Sequence, residues 1–223
     1  DPDVLEISAC GRLLLRIGVG GVDAGPILET PINQDRAAER TLLNAMLADL
    51  QEDSSRIAKA ASIDREAVLL ARKLADQMDQ RAAYHDSLAS KYGLLAMANG
   101  ASLQTAQYQT LKSRGMDLIS DDDLRSLISS FYEVTGASLD LHNQWITTAE
   151  ARWVPIMLRR FRMGDGAELA ARPRDYNALL RDEQFRLFID EYAYYMAYTA
   201  PWKENTARAA GELMAKIREE VEK

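Results

Sequence analysis

The sequence predicts an all-α fold, an elongated antiparallel bundle of three long helices with short accessory helices. Three observations carry that prediction. From Gln34 onward the chain is rich in Ala, Leu, Arg and Glu, residues that lose little on entering a helix. Over three separate stretches its apolar residues recur at alternating spacings of three and four, the period of a helix face and not of a strand. Glycine and proline gather in front of this region, at Gly18, Gly20, Gly21, Gly25, Pro26 and Pro31. Residues 1–33 therefore read as an irregular N-terminal segment and residues 34–223 as one helical bundle domain. Short strands at 4–7 and 13–19, with a turn at Gly20-Gly21, suit the first segment.

The first long helix shows its seam at Leu43, Met46, Leu50, Ile57, Ala60, Ala67, Ala71, Leu74 and Met78. Asp53 and Asp64 fall on or beside that seam, which predicts a bend or a polar layer. Ser62 is positioned to cap a restart, so residues 34–80 read as one helix or as two. A shorter helix over 84–98 ends at the Asn99-Gly100 turn signal, and another over 103–114 ends at Gly115. Gly115 stands where a helix closes in a positive-φ residue, with Met116 as the apolar contact of the cap. Ser120 is the expected N-cap of the second long helix, and Asp121, Asp122 and Asp123 fill its first turn, where the helix dipole favours negative charge.

The second long helix is expected to reach about Met163, with a stripe at Leu124, Leu127, Phe131, Val134, Ser138, His142, Trp145, Ala149, Trp153 and Ile156 and a kink at Pro155. Loops at 164–166 and 172–173 follow. Asp175 opens a short helix through Leu180, and Asp182 opens the third long one. Its seam is Phe185, Phe188, Tyr192, Tyr195, Thr199, Trp202, Ala209, Leu213 and Ile217, with Pro201 as a second kink. Three matched amphipathic pillars bury their stripes best side by side, the first and third running one way and the second running back.

Composition narrows the function. Hydrophobic residues at 47% and charged residues at 27% belong to a folded chain. A net charge of -7 argues against nucleic-acid binding, which needs a broad basic surface to release counterions from phosphates. Cys10 is alone, so no internal disulfide staples the fold, and both cytoplasm and periplasm stay open as compartments. The most apolar window, 13–28, is interrupted by Arg16, Asp23 and Pro26 and does not read as a membrane span. The chain opens at Asp1 without a methionine, which leaves room for an upstream anchor.

No catalytic signature is present. His85 and His142 lie in separate helices and neither belongs to a Glu-x-x-His or His-Glu-x-x-His pattern, so no metal is expected. The early glycines match no phosphate-binding loop and no Gly-x-Ser-x-Gly elbow exists, so neither a cofactor nor an enzymatic activity is expected. His142, on the apolar stripe, reads as a hydrogen-bonded core imidazole or, more sharply, as a pH sensor.

Two clusters stand out. Tyr192, Tyr194, Tyr195, Tyr198 and Trp202 place five large rings within eleven residues. Tyr192, Tyr195 and Trp202 fit the seam, while Tyr194 and Tyr198 form a second row. Tyr194, Tyr198 and Trp202 are thus candidates for a partner interface, where rigid aromatic area is favoured, or for lining a small-ligand pocket. Arg159, Arg160, Arg162, Arg172 and Arg174, preceded by Arg152, gather in an otherwise acidic protein. If the second helix runs back, they return to the level of Gln34 and form a candidate patch for anionic lipid or an acidic partner.

Three stretches carry a family resemblance: Ile32 to Arg36 running into Glu39 and Leu43 to Leu50 with Asp49; Tyr108, Leu111, Ser113, Gly115, Leu118, Ile119, Asp122, Leu124, Arg125 and Tyr132; and Asp182, Phe185 and Arg186. In this order they resemble a bacterial family of small membrane-anchored helical proteins of unknown function, in which an N-terminal transmembrane helix leads into a long charged helix. The likeness covers roughly the chain from Ile32 onward. Gly11 to Thr30 departs from the family's membrane helix, and the family's juxtamembrane Trp is absent. The resemblance implies a membrane-associated bacterial protein, on either side of the membrane, although the chain as written is soluble. The expectation is a noncatalytic scaffold or interaction protein, an accessory subunit of a larger membrane complex, that binds a protein partner or a second copy of itself. The alternative is a sensory helical bundle for a small ligand.

Overall fold

The computed structural model describes residues 25–96, 99–164 and 170–223, and for residues 25–33 the backbone alone. The expected strands at 4–7 and 13–19, the Gly20-Gly21 turn and Cys10 lie outside the described residues.

Helix α1, Gly25–Asp79, is one unbroken helix of 55 residues, about 80 Å long at the rise of 1.5 Å per residue. It starts ahead of Gln34, so the boundary drawn at residue 33 falls inside it, and Ser62 caps nothing. Every seam residue named above, from Leu43 to Met78, is buried. The crossover that follows contains α2, Leu88–Leu94, and α3, Ala106–Arg114, both shorter than their spacing predicts. A 3-10 turn at Met116–Leu118 leads to α4, Asp122–Ser130, which continues through a π turn, Phe131–Gly136, into α5, Ala137–Arg160. Strands β1, Phe161–Met163, and β2, Ala171–Pro173, pair antiparallel. The four-residue α6, Tyr176–Leu179, precedes α7, Glu183–Val221, of 39 residues.

The fold is all-α apart from this two-stranded ribbon, but its helix directions differ from the simple antiparallel arrangement. Between α1 and α4 the chain runs back along α1. The Asn99 side chain donates to the Ala60 carbonyl, Arg56 to the Ser102 carbonyl, the Gln104 N–H to Asp53, and the Ser120 N–H to Glu39. This descending ladder returns the chain to the start of the bundle. The second long helix therefore runs parallel to α1, and α7 runs antiparallel to both. On α7, Arg186 meets Asp79, Thr199 and Lys203 meet Asp64, and Ala207 meets Ser54. The physical reason is the crossover's length: some forty residues with two helices of their own span the bundle, where a tight turn would have forced the second pillar to run back.

The ladder also explains the aspartates on the α1 seam. Asp53 and Asp64 are both fully buried and both serve the crossover. Asp53 pairs with Arg56 and accepts from Gln104 N–H at 2.7 Å, and Asp64 accepts from the Asn99 side chain at 3.3 Å. They form polar layers without a break in the helix.

The caps follow local chemistry. Gly115 has φ 111° and ψ 133°, a conformation beyond the left-handed helical well that only glycine enters freely. A Cβ there would collide with the Asp117 carboxylate. Asp121, and not Ser120, caps α4 by accepting from Leu124 N–H at 2.9 Å. Ser120 is instead held by buried Glu39. Asp175 and Asp182 cap α6 and α7. Pro155 and Pro201 both sit inside continuous helices. The second long helix stops at Arg160, short of Met163, because Phe161 turns into extended backbone and buries its ring.

The buried apolar residues form two large clusters joined at a waist. One contains Leu43, Met46, Leu50, Ile128 and Leu213, the other Leu74, Tyr92, Phe161, Phe185 and Phe188. Ile57, Ala60, Ala101 and Leu139 make the waist, where the crossover lies between α1 and α5.

Candidate interaction surface

The π turn carries α4 into α5. A π turn takes one extra residue, so adjacent residues can be buried within it. Leu124 and Ile128 are buried before it, Phe131, Tyr132 and Gly136 within it, and Leu139, His142, Ile146, Ala149, Trp153 and Met157 after it. Val134 and Trp145, expected on the buried stripe, are 62% and 41% exposed. The turn is seated by stacking of Tyr108 on Tyr132, ring centroids 4.5 Å apart, and by Gly136, where a Cβ would press on Leu103 at 3.0 Å.

On α7 a second substitution of roles occurs. Trp202, expected in the core, is exposed, and its neighbour Lys203 is buried in its place. Lys203 and Asp64 are 1% and 0% exposed. The Lys203 ammonium donates to Asp64 at 2.6 Å and to the Asn99 carbonyl. Asp64 also accepts from the Thr199 hydroxyl at 2.9 Å. Desolvating both charges costs several kcal/mol per ion, and close pairing with full hydrogen bonding is what offsets it. Drawing Thr199 and Lys203 inward turns Tyr198 and Trp202 outward.

The two displacements bring α5 and α7 rings together. His142 lies beneath them at 4% exposure, with ring centroids 4.6 Å from Trp202, 5.3 Å from Trp145 and 5.5 Å from Tyr198. Trp145 stacks on Tyr198 at 5.9 Å, and Tyr198 on Tyr194 at 6.3 Å with only 12° between their planes. The imidazole Nδ1 faces the Ser138 carbonyl, so Nδ1 carries the proton and, in the neutral ring, Nε2 is left as an acceptor. Nε2 is buried and has no hydrogen-bond partner among the described residues.

Of the sequence candidates, the structure unites Tyr194, Tyr198 and Trp202 and adds Trp145 and His142 to them. Tyr192 is buried, and Tyr195 stands between surface and core, edge-on to Trp153 at 5.5 Å. From buried His142 a helical spacing of three reaches Trp145 and one of four reaches Ile146, and it is Ile146 that faces the core.

The arginines do not lie where the expected chain direction puts them. Since α5 runs parallel to α1, Arg159, Arg160, Arg162, Arg172 and Arg174 stand at the Asp79 end, about 65–70 Å from Gln34 along α1. The proposed neighbourhood with an anchor near Gln34 is thereby overturned. Arg160 is mostly buried and holds Asp182 through two bonds at 2.6 and 3.0 Å. Arg152 pairs with Glu191, and the Arg159 side chain donates to the Pro155 carbonyl. Arg162 and Arg172 face each other across the β1–β2 ribbon, and Arg174 N–H closes it on the Arg160 carbonyl.

Among the described residues no group of three His, Cys, Asp or Glu side chains is placed to hold a metal ion, and no helix is long and apolar enough to cross a membrane. Neither a protein family model, nor a curated protein, nor a solved structure matches the chain.

Proposed function

We propose that this chain is a noncatalytic helical interaction protein, a scaffold or accessory subunit, that docks through the aromatic surface at its waist. The observation that carries the reading is the exposure of Trp145, Tyr194, Tyr198 and Trp202, between 38% and 67%, in one contiguous group drawn from two helices. Rigid aromatic side chains give large contact area for little loss of conformational freedom, which is why they concentrate at interface centres. The group sits midway along the bundle, away from the start of α1, where an anchor of the kind the family resemblance implies would leave. A membrane-associated setting therefore leaves this face free for a protein.

A photo-crosslinking residue in place of Tyr194, introduced in cells that make the protein, is expected to form a discrete protein adduct. The same residue at Leu69 on α1, equally exposed, is the control. No adduct at 194, or equal adducts at both positions, refutes the reading. The unpartnered Nε2 of His142 favours a second reading, a small molecule that slips between the rings and supplies an O–H or N–H donor. A gain in thermal stability with such a compound, lost in His142→Phe, would support it.

A further inference from the structure

The aromatic surface lies in a band that carries no charge. Leu141 to Ala149 on α5 and Tyr192 to Trp202 on α7 contain no Asp, Glu, Lys or Arg, in a chain where 27% of residues are charged. At that frequency about five of these twenty positions would be expected to hold a charge. Two of the charges that border the band are paired within the molecule, Arg152 with Glu191 and Arg65 with Glu204, while Asp140 and Glu150 mark its two ends on α5.

We propose that the occupant of this face is a second copy of the chain, packed about a twofold axis through the Trp145–Tyr198 contact. The proposal rests on the docking role assigned above and specifies its partner. Two molecules of net charge -7 repel each other on average, and a surface without charge is one where two copies meet free of like-charge contact. The band meets that condition, and it lies midway along two antiparallel helices, so a twofold axis there lays like surface on like along the whole band.

Area supports the same occupant. Leu141, Trp145, Tyr194, Tyr198 and Trp202 are 45%, 41%, 67%, 38% and 40% exposed. At roughly 200 Å² for each such side chain, they leave about 450 Å² of open surface per copy, within the range for the largest patch on a monomer. Two copies would cover about 900 Å² from these side chains alone. That is the scale of a weak, reversible contact, to which the exposed neutral residues Gln144 and Thr148 add.

Sedimentation velocity on the full chain, from low to high micromolar concentration, tests this. The expected wild-type species has twice the 24.9 kDa chain mass. Tyr194→Glu, at a largely exposed position, is expected to raise the dissociation constant at least tenfold while the far-UV circular dichroism and melting temperature stay near wild type. Trp145→Gln is the second variant and should act in the same direction. A wild-type monomer throughout the range overturns the proposal, whatever else covers the band, residues 1–24 included. A dimer that persists in both variants overturns it as well, because the contact is then elsewhere. The crosslinking experiment separates the two readings: an adduct at 194 of a mass other than the dimer's removes the second copy and keeps the docking surface, and no adduct removes both.

Discussion

Replacing Lys203 by methionine keeps most of the side chain's volume and removes its ammonium. In the folded protein that ammonium is the nearest counter-charge to Asp64 and also bonds the Asn99 carbonyl. Without it Asp64 keeps the Thr199 hydroxyl and the Asn99 amide, neither of which carries charge. A carboxylate left buried in this way costs about 3–5 kcal/mol. Asp64→Leu leaves the ammonium stranded at similar cost, so additivity would predict about 6–10 kcal/mol for the double variant. The structure predicts much less. With both charges gone, Thr199 still donates to the Tyr195 carbonyl and Asn99 to the Ala60 carbonyl, leaving the Asn99 carbonyl as the one group without its partner. One such group costs about 1–3 kcal/mol. A double-mutant cycle read by urea denaturation, with a common dependence on denaturant, should therefore return a coupling of at least 3 kcal/mol. A coupling below about 1 kcal/mol would refute the closed pair.

Three further predictions follow from single residues. Gly115→Val should cost about 1–3 kcal/mol, because a β-branched residue is strained at φ 111° and its Cβ meets Asp117; an unchanged melting temperature refutes the cap. Asp182, held below its ordinary value of 3.8 first by the Arg160 side chain, contributes stability at pH values above 3.8 that is lost as pH falls through its lowered folded value. Asp182→Asn should thus cost about 1–2 kcal/mol near pH 7 and progressively less as pH falls below 3.8, and a cost independent of pH removes the ion pair from the account. His142→Phe deletes a buried acceptor that lacks a donor, so the isolated protein should keep or gain stability, by about 1 kcal/mol; a loss above 2 kcal/mol would mean that Nε2 is bonded in the folded chain.

The α1 seam was legible residue by residue because an unbroken helix keeps one period for its whole length. The caps at Asp175 and Asp182 were legible for a similar reason, since a cap is settled within four residues. What the sequence hid was non-local. The direction of the second long helix depends on whether the crossover spans the bundle, and that depends on Asp53 and Asp64 finding Gln104 and Asn99 some forty residues away. Trp145 was hidden because three- and four-residue spacings from His142 fit a helix face equally well, and only the packed structure shows that Ile146, not Trp145, faces the core. Lys203 was hidden by its charge: a lysine beside a tryptophan is assigned to solvent unless its buried carboxylate is known. Tyr194 and Tyr198 were found because they overfilled a seam, a signal that needs no knowledge of the partner helix.

The crossover also sets the order in which the molecule is completed. Leu43, Met46 and Leu50 on α1 find their partners in Leu213 and Ile217 of α7, about 170 residues later in the chain. At some 5–20 residues per second, a ribosome delivers those partners roughly ten to thirty-five seconds after α1. Residues of the crossover and α4 in the same cluster, Tyr108, Leu111 and Ile128 among them, arrive earlier, but for that interval the part of the face that meets α7 is open to solvent, a chaperone, or the same helix on a neighbouring polysome chain. The closing of a contact so distant in sequence also makes folding slow for a protein that is almost entirely helical. The in vivo yield of this protein should therefore respond to holdase chaperones more strongly than its helix content alone suggests.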